Sequence, residues 1–366
     1  MCNGVSRGWF LAAAGAAALP LIAAPASAAD LPAVPQGLSE GNARAAQIAR
    51  ASHFIRAQYG AALQLARSIT NARLRDGVLE LLTNPVPTYA RKYRTAADRQ
   101  ALRDALARAG FVKADDVVAG IFPPGTDGTA AVQPFWSAPG SAYDSHHSYP
   151  GGLTVHELFN ARMSEHFASS YNMEYFSGAQ RVDRDLVIAS AFYHDIMKTV
   201  VFQFNADGTI LGELEIAGTG AHHCLSGAEA IVRGHDARFV TVLLSAHAAP
   251  SLGDQVKVAA WCKAAAMIAG VDPVEFGLLD RKGNLAALPP IETFISNLSD
   301  HDYVLSVHAV QQIEPRLAAL GRAGAGSAEG RWWRHGVLSN ASAIALYEAA
   351  TRGDAAFVRA VRNAPE

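Results

Sequence analysis

Leu186-Val-Ile-Ala-Ser-Ala-Phe-Tyr-His-Asp-Ile-Met-Lys-Thr199 reads as a buried helix that ends in chemistry. Apolar residues fill almost every position from Leu186 to Tyr193, too continuously for a helix with one wet face. Three polar side chains, His194, Asp195 and Lys198, then arrive together, with His194 and Lys198 four apart on one face. An imidazole beside a carboxylate offers two metal-ligand atoms, and a cation one turn later can hold an anion that the metal also binds. This is half of a site suited to phosphate-ester chemistry. His-Asp also occurs at His235-Asp236 and His301-Asp302. Those two pairs do not end a strongly apolar helix and are read as surface pairs.

Working outward, other histidines sit at helix ends. His146-His147-Ser-Tyr-Pro-Gly-Gly precedes a helix that carries His156 in its first turns. The two glycines make a tight turn that brings the His146-His147 pair near His156. Val200 to Phe204 and Thr209 to Ile216 flank Asn205-Ala-Asp-Gly208, a pattern for the one β-hairpin of an otherwise helical chain. A helix then starts at His222-His223, and the apolar helix from Asp236 to Ser245 ends at His247.

Helices are also expected from Ser39 to Ile69, Asn71 to Leu82 and Ala96 to Ala109, with Gly110 as a stop. Residues 121 to 140, rich in Pro, Gly, Thr and Ser, read as a linker. Beyond a helix from Gln255 to Ala269, two more are expected at Ile291 to Leu320 and Leu338 to Val361, with Trp332 and Trp333 as packing residues. The chain therefore divides into 1–28, an N-terminal helical region with linker at 29–140, a metal-binding helical core at 141–280 and a C-terminal helical extension at 281–366.

The 366 residues carry a formal net charge of -2 with 17% charged residues, so no basic face for long nucleic acid is expected. A local basic pocket for a small anion remains compatible with that total. Arg7, the apolar run from Trp9 to Ala24 and Ala26-Ser27-Ala28 fit an export signal cleaved near Ala29, which implies a periplasmic or secreted protein without a membrane span after cleavage. Of the three cysteines, Cys224 and Cys262 follow that point, and their spacing does not decide whether they pair.

His-His-x-x-x-x-Gly-Leu-x-x-His at 146–156, the apolar run with His-Asp-x-x-Lys at 186–198, the hairpin, Gly-x-His-His-x-x-x-Gly and Leu-Ser-x-His together resemble the HD-domain superfamily of metal-dependent phosphohydrolases. The pattern is similar to that of the YhaM-like branch and covers Ser145 to about Phe276. The resemblance implies an all-α fold, an HD-domain helical bundle with one small β-hairpin and additional flanking helices. It implies that His156, His194 and Asp195 bind a first divalent transition metal, with Asp195 bridging to a second held by His223 and His247. Lys198 would meet the substrate phosphate, and His146, His147 and His222 would lie behind the metal or against substrate. Manganese, iron, nickel, zinc or cobalt all suit such ligands.

The sequence departs from the family pattern at three points. The closing aspartate is due near the end of the Gln255 to Ala269 helix, where this chain has Ala269-Gly270, so Asp272 is the nearest candidate ligand. Met197 and Ala248 stand where glycines are usual. The expected function is hydrolysis of a small phosphorylated compound, such as a nucleotide, by metal-activated water. Two other readings stay open, a di-iron oxygenase on the same fold and a degenerate domain that binds metal or ligand without turnover.

Overall fold

The computed structural model describes residues 31–364 apart from 114, 117, 127–129, 252, 322–323 and 325. The export signal expected at 1–28 lies outside the described residues. Among those residues, no helix is long and apolar enough to cross a membrane.

The chain is mostly helical. Its α-helices are α1 (Glu40–Ala51), α2 (His53–Arg67), α3 (Ala72–Thr83), α4 (Ala96–Arg108), α5 (Gly152–Tyr175), α6 (Arg184–His194), α7 (Lys198–Val201), α8 (Ala221–Val232), α9 (Ala237–Leu244), α10 (Gln255–Ala269), α11 (Ile291–Ser299), α12 (Asp302–Leu320), α13 (Ala328–Ala341), α14 (Ala343–Thr351) and α15 (Asp354–Asn363).

The apolar run that opens the sequence argument becomes α6, and every residue from Asp185 to His194 is buried. The helix packs against α3, α5, α8, α9 and α11, so it has no wet face and needs no polar stripe. Asp183 starts it by accepting a hydrogen bond from the Leu186 amide at 3.0 Å. Its last residues therefore emerge at the centre of the bundle rather than at a surface.

The turn before α5 depends on glycine. Gly151 has φ +85°, and a Cβ on Gly152 would stand 1.9 Å from the His147 carbonyl oxygen. His147 itself has φ +52°, which lays its backbone against the start of α5. The histidine pair and His156 are drawn together by this close approach, as the glycine turn suggests.

The expected hairpin forms only close to its turn, and the two-stranded sheet lies after it. Lys198 to Val201 continue as a helical turn, α7, and the Asn205 to Gly208 turn carries a single bridge between Phe204 and Ile210. The two-stranded antiparallel sheet is β1 (Glu215–Ile216) with β2 (Thr219–Gly220), Glu215 opposite Gly220 and Ile216 opposite Thr219. Hydrogen bonds from the amides of Lys198 and Val200 to the carbonyls of Asp195 and Met197 continue the helical winding past α6, overriding the β propensity of Val200 and Val201.

Three helices expected as single elements are broken; the last, Leu338 to Val361, is interrupted at Ser342 and again at Gly353, so it falls across α13, α14 and α15. Ser52 ends α1 and caps α2, accepting from the Ile55 amide at 3.0 Å and donating to the Ser339 carbonyl at 2.6 Å. The expected Ile291 to Leu320 helix stops at Ser299 and resumes at Asp302, which turns Asp300 inward. Trp332 lies inside α13, buried, with its indole N–H donating to the Ala206 carbonyl.

One cluster of buried apolar side chains extends from Leu31 to Ala364. The apolar cluster runs across the boundaries at 140 and 280, and of the C-terminal segment α11 packs against α5, α6 and α9. Cys224 and Cys262 are both free and buried.

Candidate metal centre

Five elements deliver their ends to one point: the first turns of α5, the end of α6, the start of α8, the segment after α9 and the break between α11 and α12. His156 Nε2 lies 3.2 Å from Asp195 Oδ2 and 3.2 Å from Asp300 Oδ1. His194 Nε2 lies 3.4 Å from each of the same two oxygens. On the other side, His222 Nε2 is 3.0 Å from Asp195 Oδ1, and His247 Nε2 is 3.7 Å from Asp195 Oδ1 and 3.6 Å from Asp300 Oδ2. Both aspartates thus point one oxygen at each group of histidines.

These groups fit a metal ion. Two sets, His156 with His194 and Asp300, and His194 with Asp195 and His247, bring ligand atoms within 4.8 Å of one another. His194 Nε2, His222 Nε2 and both carboxylate oxygens of Asp195 are buried without a well-formed hydrogen bond. Apart from Lys198, which pairs with Asp195 Oδ2, these atoms face mainly one another, and a buried polar group short of partners costs about 1–3 kcal/mol, which a shared metal ion would offset. Buried His/Asp groups can therefore hold a metal here, while its identity is not fixed by the donor set.

The outer contacts prepare the imidazoles. His194 Nδ1 lies 2.7 Å from the Ala191 carbonyl, and His222 Nδ1 lies 2.7 Å from Glu213 Oε2. Each contact holds the Nδ1 proton, so Nε2 is the nitrogen turned toward the aspartates and the one that would bind a metal once its own proton is lost. Asn160 Nδ2 donates to Asp300 Oδ1 at 3.1 Å, and the wholly buried Glu157 stands 3.4 Å behind His194 Nδ1.

Electrostatics divide the histidines. Burial disfavours charge on Asp195, but His194, Lys198 and His222 hold its carboxyl well below the usual carboxylate range. Burial likewise opposes charge on Asp300, and hydrogen bonds from His156 and His194 hold it well below that range. Burial alone would depress His222, yet Glu213 and Asp195 push it up to about 9. His194 is raised well above its ordinary value, with burial overcome by Asp195 and Glu157. His247, by contrast, is depressed to about 4 by burial, and His146, His147 and His223 are also held low, chiefly by burial.

The residues proposed from sequence separate clearly. His156, His194, Asp195 and His247 come together. His222 makes the inner contact to Asp195, while its neighbour His223 has both ring nitrogens buried without a hydrogen bond, its ring 4.2 Å from that of His247 and 4.8 Å from that of Trp261. Asp272 is exposed and accepts from the amides of Val274 and Glu275, so it caps its own turn rather than joining the cluster. Asp300 supplies the closing carboxylate.

Lys198 is buried and pairs with Asp195 Oδ2. His147 is also buried, its Nε2 3.5 Å from Asp302 and its Nδ1 3.3 Å from Ser306 Oγ, so it braces the wall of the site against α12. Asp302 is therefore an inward residue rather than a surface one. His235 is buried too, bonded to the Tyr193 hydroxyl at 2.9 Å, while Asp236 caps α9. His146 and His247 are less deeply buried than the other histidines of the cluster, and the ring of the 42% exposed Tyr303 lies 6.1 Å from that of His146.

Sequence reading missed Asp300, Glu157, Asn160 and Glu213. Glu157 adjoins His156, and Asn160 is one helical turn beyond it, spacing that could have drawn attention to both. Asp300 gave only the weaker signal of a carboxylate preceding a His-Asp pair.

Comparison with family models, curated proteins and solved structures finds no match. The case for what the centre does therefore rests on its residues.

Proposed function

We propose that the chain is a metal-dependent phosphohydrolase of HD-domain type, acting after export on a phosphate ester of a small phosphorylated compound. The observation that carries this reading is the division of Asp195 and Asp300, each with one oxygen toward His156 and His194 or toward His222 and His247. That division suits two adjacent metal ions better than one. Metal ions in such a pair supply an activated water near neutral pH and stabilise charge on attacking and leaving oxygens.

The chain's own groups do the positioning. Ala191 and Glu213 orient the imidazoles, Asn160 holds Asp300, and Lys198 offsets the negative charge on Asp195. A phosphate ester would enter past His247 and His146, where Tyr303 offers a ring to its organic part.

A di-iron oxygenase is the second reading, since the same imidazole and carboxylate donors at His156, His194, Asp195, His247 and Asp300 also suit a pair of iron ions. Incubation of the metal-loaded protein with nucleotides and simple phosphomonoesters, with and without dioxygen, separates the two. Phosphate release independent of dioxygen supports the hydrolase. Dioxygen consumption without phosphate release overturns it.

A further inference from the structure

A cavity of about 520 Å³ opens away from the metal centre, between α3, the segment before α4 and the end of α8. Its wall carries Arg73, Arg91, Lys92 and Arg233, against Glu80 as the one acidic side chain. Arg233 is committed to ion pairs with Glu80 at 3.0 Å and with Glu229 at 2.6 Å. The other cations are held differently. Arg73 donates to the Gly234 carbonyl, and Lys92 donates to the Ala269 carbonyl at 3.1 Å, at the C-terminus of α10. Neither contact neutralises the charge with a carboxylate, and no carboxylate partner is recorded for Arg91 among the described residues. The cavity thus concentrates positive charge in a chain whose formal net charge is -2.

The floor is polar as well. Tyr193 and His235 line it, with the Tyr193 hydroxyl 2.9 Å from His235 Nε2. Gly77 makes room for that hydroxyl: a Cβ there would stand 2.7 Å from Tyr193 Oη and 3.7 Å from His235 Nε2. The volume lies within the roughly 300–1,000 Å³ of ordinary small-molecule sites. Guanidinium and ammonium groups around a polar floor match the oxygens of a phosphoryl group, which accept several charge-assisted hydrogen bonds at once.

We infer that this cavity is a second binding site, taking phosphate or a small phosphomonoester through Arg73, Arg91 and Lys92. It requires no metal and no turnover, so it stands apart from the proposed reaction. Because Tyr193 directly precedes His194 in α6, the bound anion contacts the helix that also carries the metal centre.

Calorimetric titration of the full chain with inorganic phosphate and with adenosine 5′-monophosphate tests the site. The titrations are run on the unaltered protein, on Arg91→Gln, on Arg73→Gln with Arg91→Gln, and on Asp195→Asn as a variant crippled at the metal centre. Arg91 is exposed, so its replacement leaves the fold intact, which a thermal melt checks. Saturable binding is expected in the unaltered protein and in Asp195→Asn, weakened several-fold in Arg91→Gln and at least tenfold in the double variant. Tighter binding of the nucleotide would assign the remaining volume to its organic part, and equal binding would assign the site to the phosphoryl group; either supports the inference. Absence of binding, equal binding in the double variant, or loss of binding in Asp195→Asn alone would overturn it.

Discussion

Asp300 Oδ1 lies 3.2 Å from His156 Nε2, although these residues come from opposite ends of the segment that builds the centre. That contact makes Asp300 the closing carboxylate and leaves Asp272 on the surface. Asp300→Ala is therefore expected to lower metal retention at least tenfold, whereas Asp272→Ala leaves it unchanged. Metal content after dialysis against a weak chelator reads the difference; equal loss in both variants would remove Asp300 from its assigned place.

Glu213 acts through His222. Its Oε2 accepts from His222 Nδ1 at 2.7 Å and also from the His222 amide at 2.9 Å. Removing a carboxylate that orients a ligating histidine typically costs about 10–100-fold in metal affinity. Glu213→Gln should lose affinity in that range while melting near the unaltered protein in the metal-free state. His223→Ala should disturb packing on Trp261 more than metal affinity, the reverse of His222→Ala.

Metal binding must displace protons. Without metal, Glu213 and Asp195 overcome the effect of burial and hold the His222 pKa at about 9, so at pH 7 this imidazole is charged. His222 would have to give up its Nε2 proton to hold a metal ion there. Apparent affinity should rise as pH increases from 6 toward 9, up to roughly tenfold per unit for each proton released. Calorimetry in two buffers of different ionisation enthalpy counts those protons. A pH-independent affinity would contradict the arrangement.

How far the sequence disclosed this centre depended on distance along the chain. The apolar run of α6, the Gly151-Gly152 turn and the starts of α5 and α8 are local patterns, so His156, His194 and Asp195 could be named from them. The choice between His222 and His223 depended on which ring the start of α8 turns inward, and adjacent histidines carry no periodicity to decide it. Asp300 was hidden because Ile291 to Leu320 reads as one helix. Its break arises where the chain closes on α5 and α6, a tertiary effect that propensity does not register. The expected hairpin is shortened for a similar reason: α7 extends the helical path to Val201, so pairing across the Asn205 to Gly208 turn is confined to Gln203 to Leu211, and a separate two-stranded sheet follows at Glu215 and Gly220.

Acid should destabilise the fold at a site remote from the metal. Burial, aided by Arg334, depresses His335 to about 3, while Nε2 contacts the Gly208 carbonyl at 2.8 Å. The unfolded chain binds a proton near the ordinary histidine value of 6.5 and the folded chain does not. Stability from keeping His335 neutral is thus present above pH 6.5 and lost as pH falls toward 3, with a slope of about 1.4 kcal/mol per unit. Between pH 6 and 4, denaturant unfolding of His335→Gln should show a pH slope shallower by about that amount. An unchanged slope would show that His335 titrates normally.

Metal stoichiometry of the purified chain, measured beside His194→Ala and Asp195→Ala, addresses the binuclear centre most directly. The account predicts about two ions per chain in the unaltered protein, as expected for carboxylates shared between paired sites. It further predicts that Asp195→Ala loses both, because Asp195 faces both groups of histidines. Retention of a full complement of metal in Asp195→Ala, or no metal in the unaltered protein after loading with manganese, iron, nickel, zinc or cobalt, would contradict it.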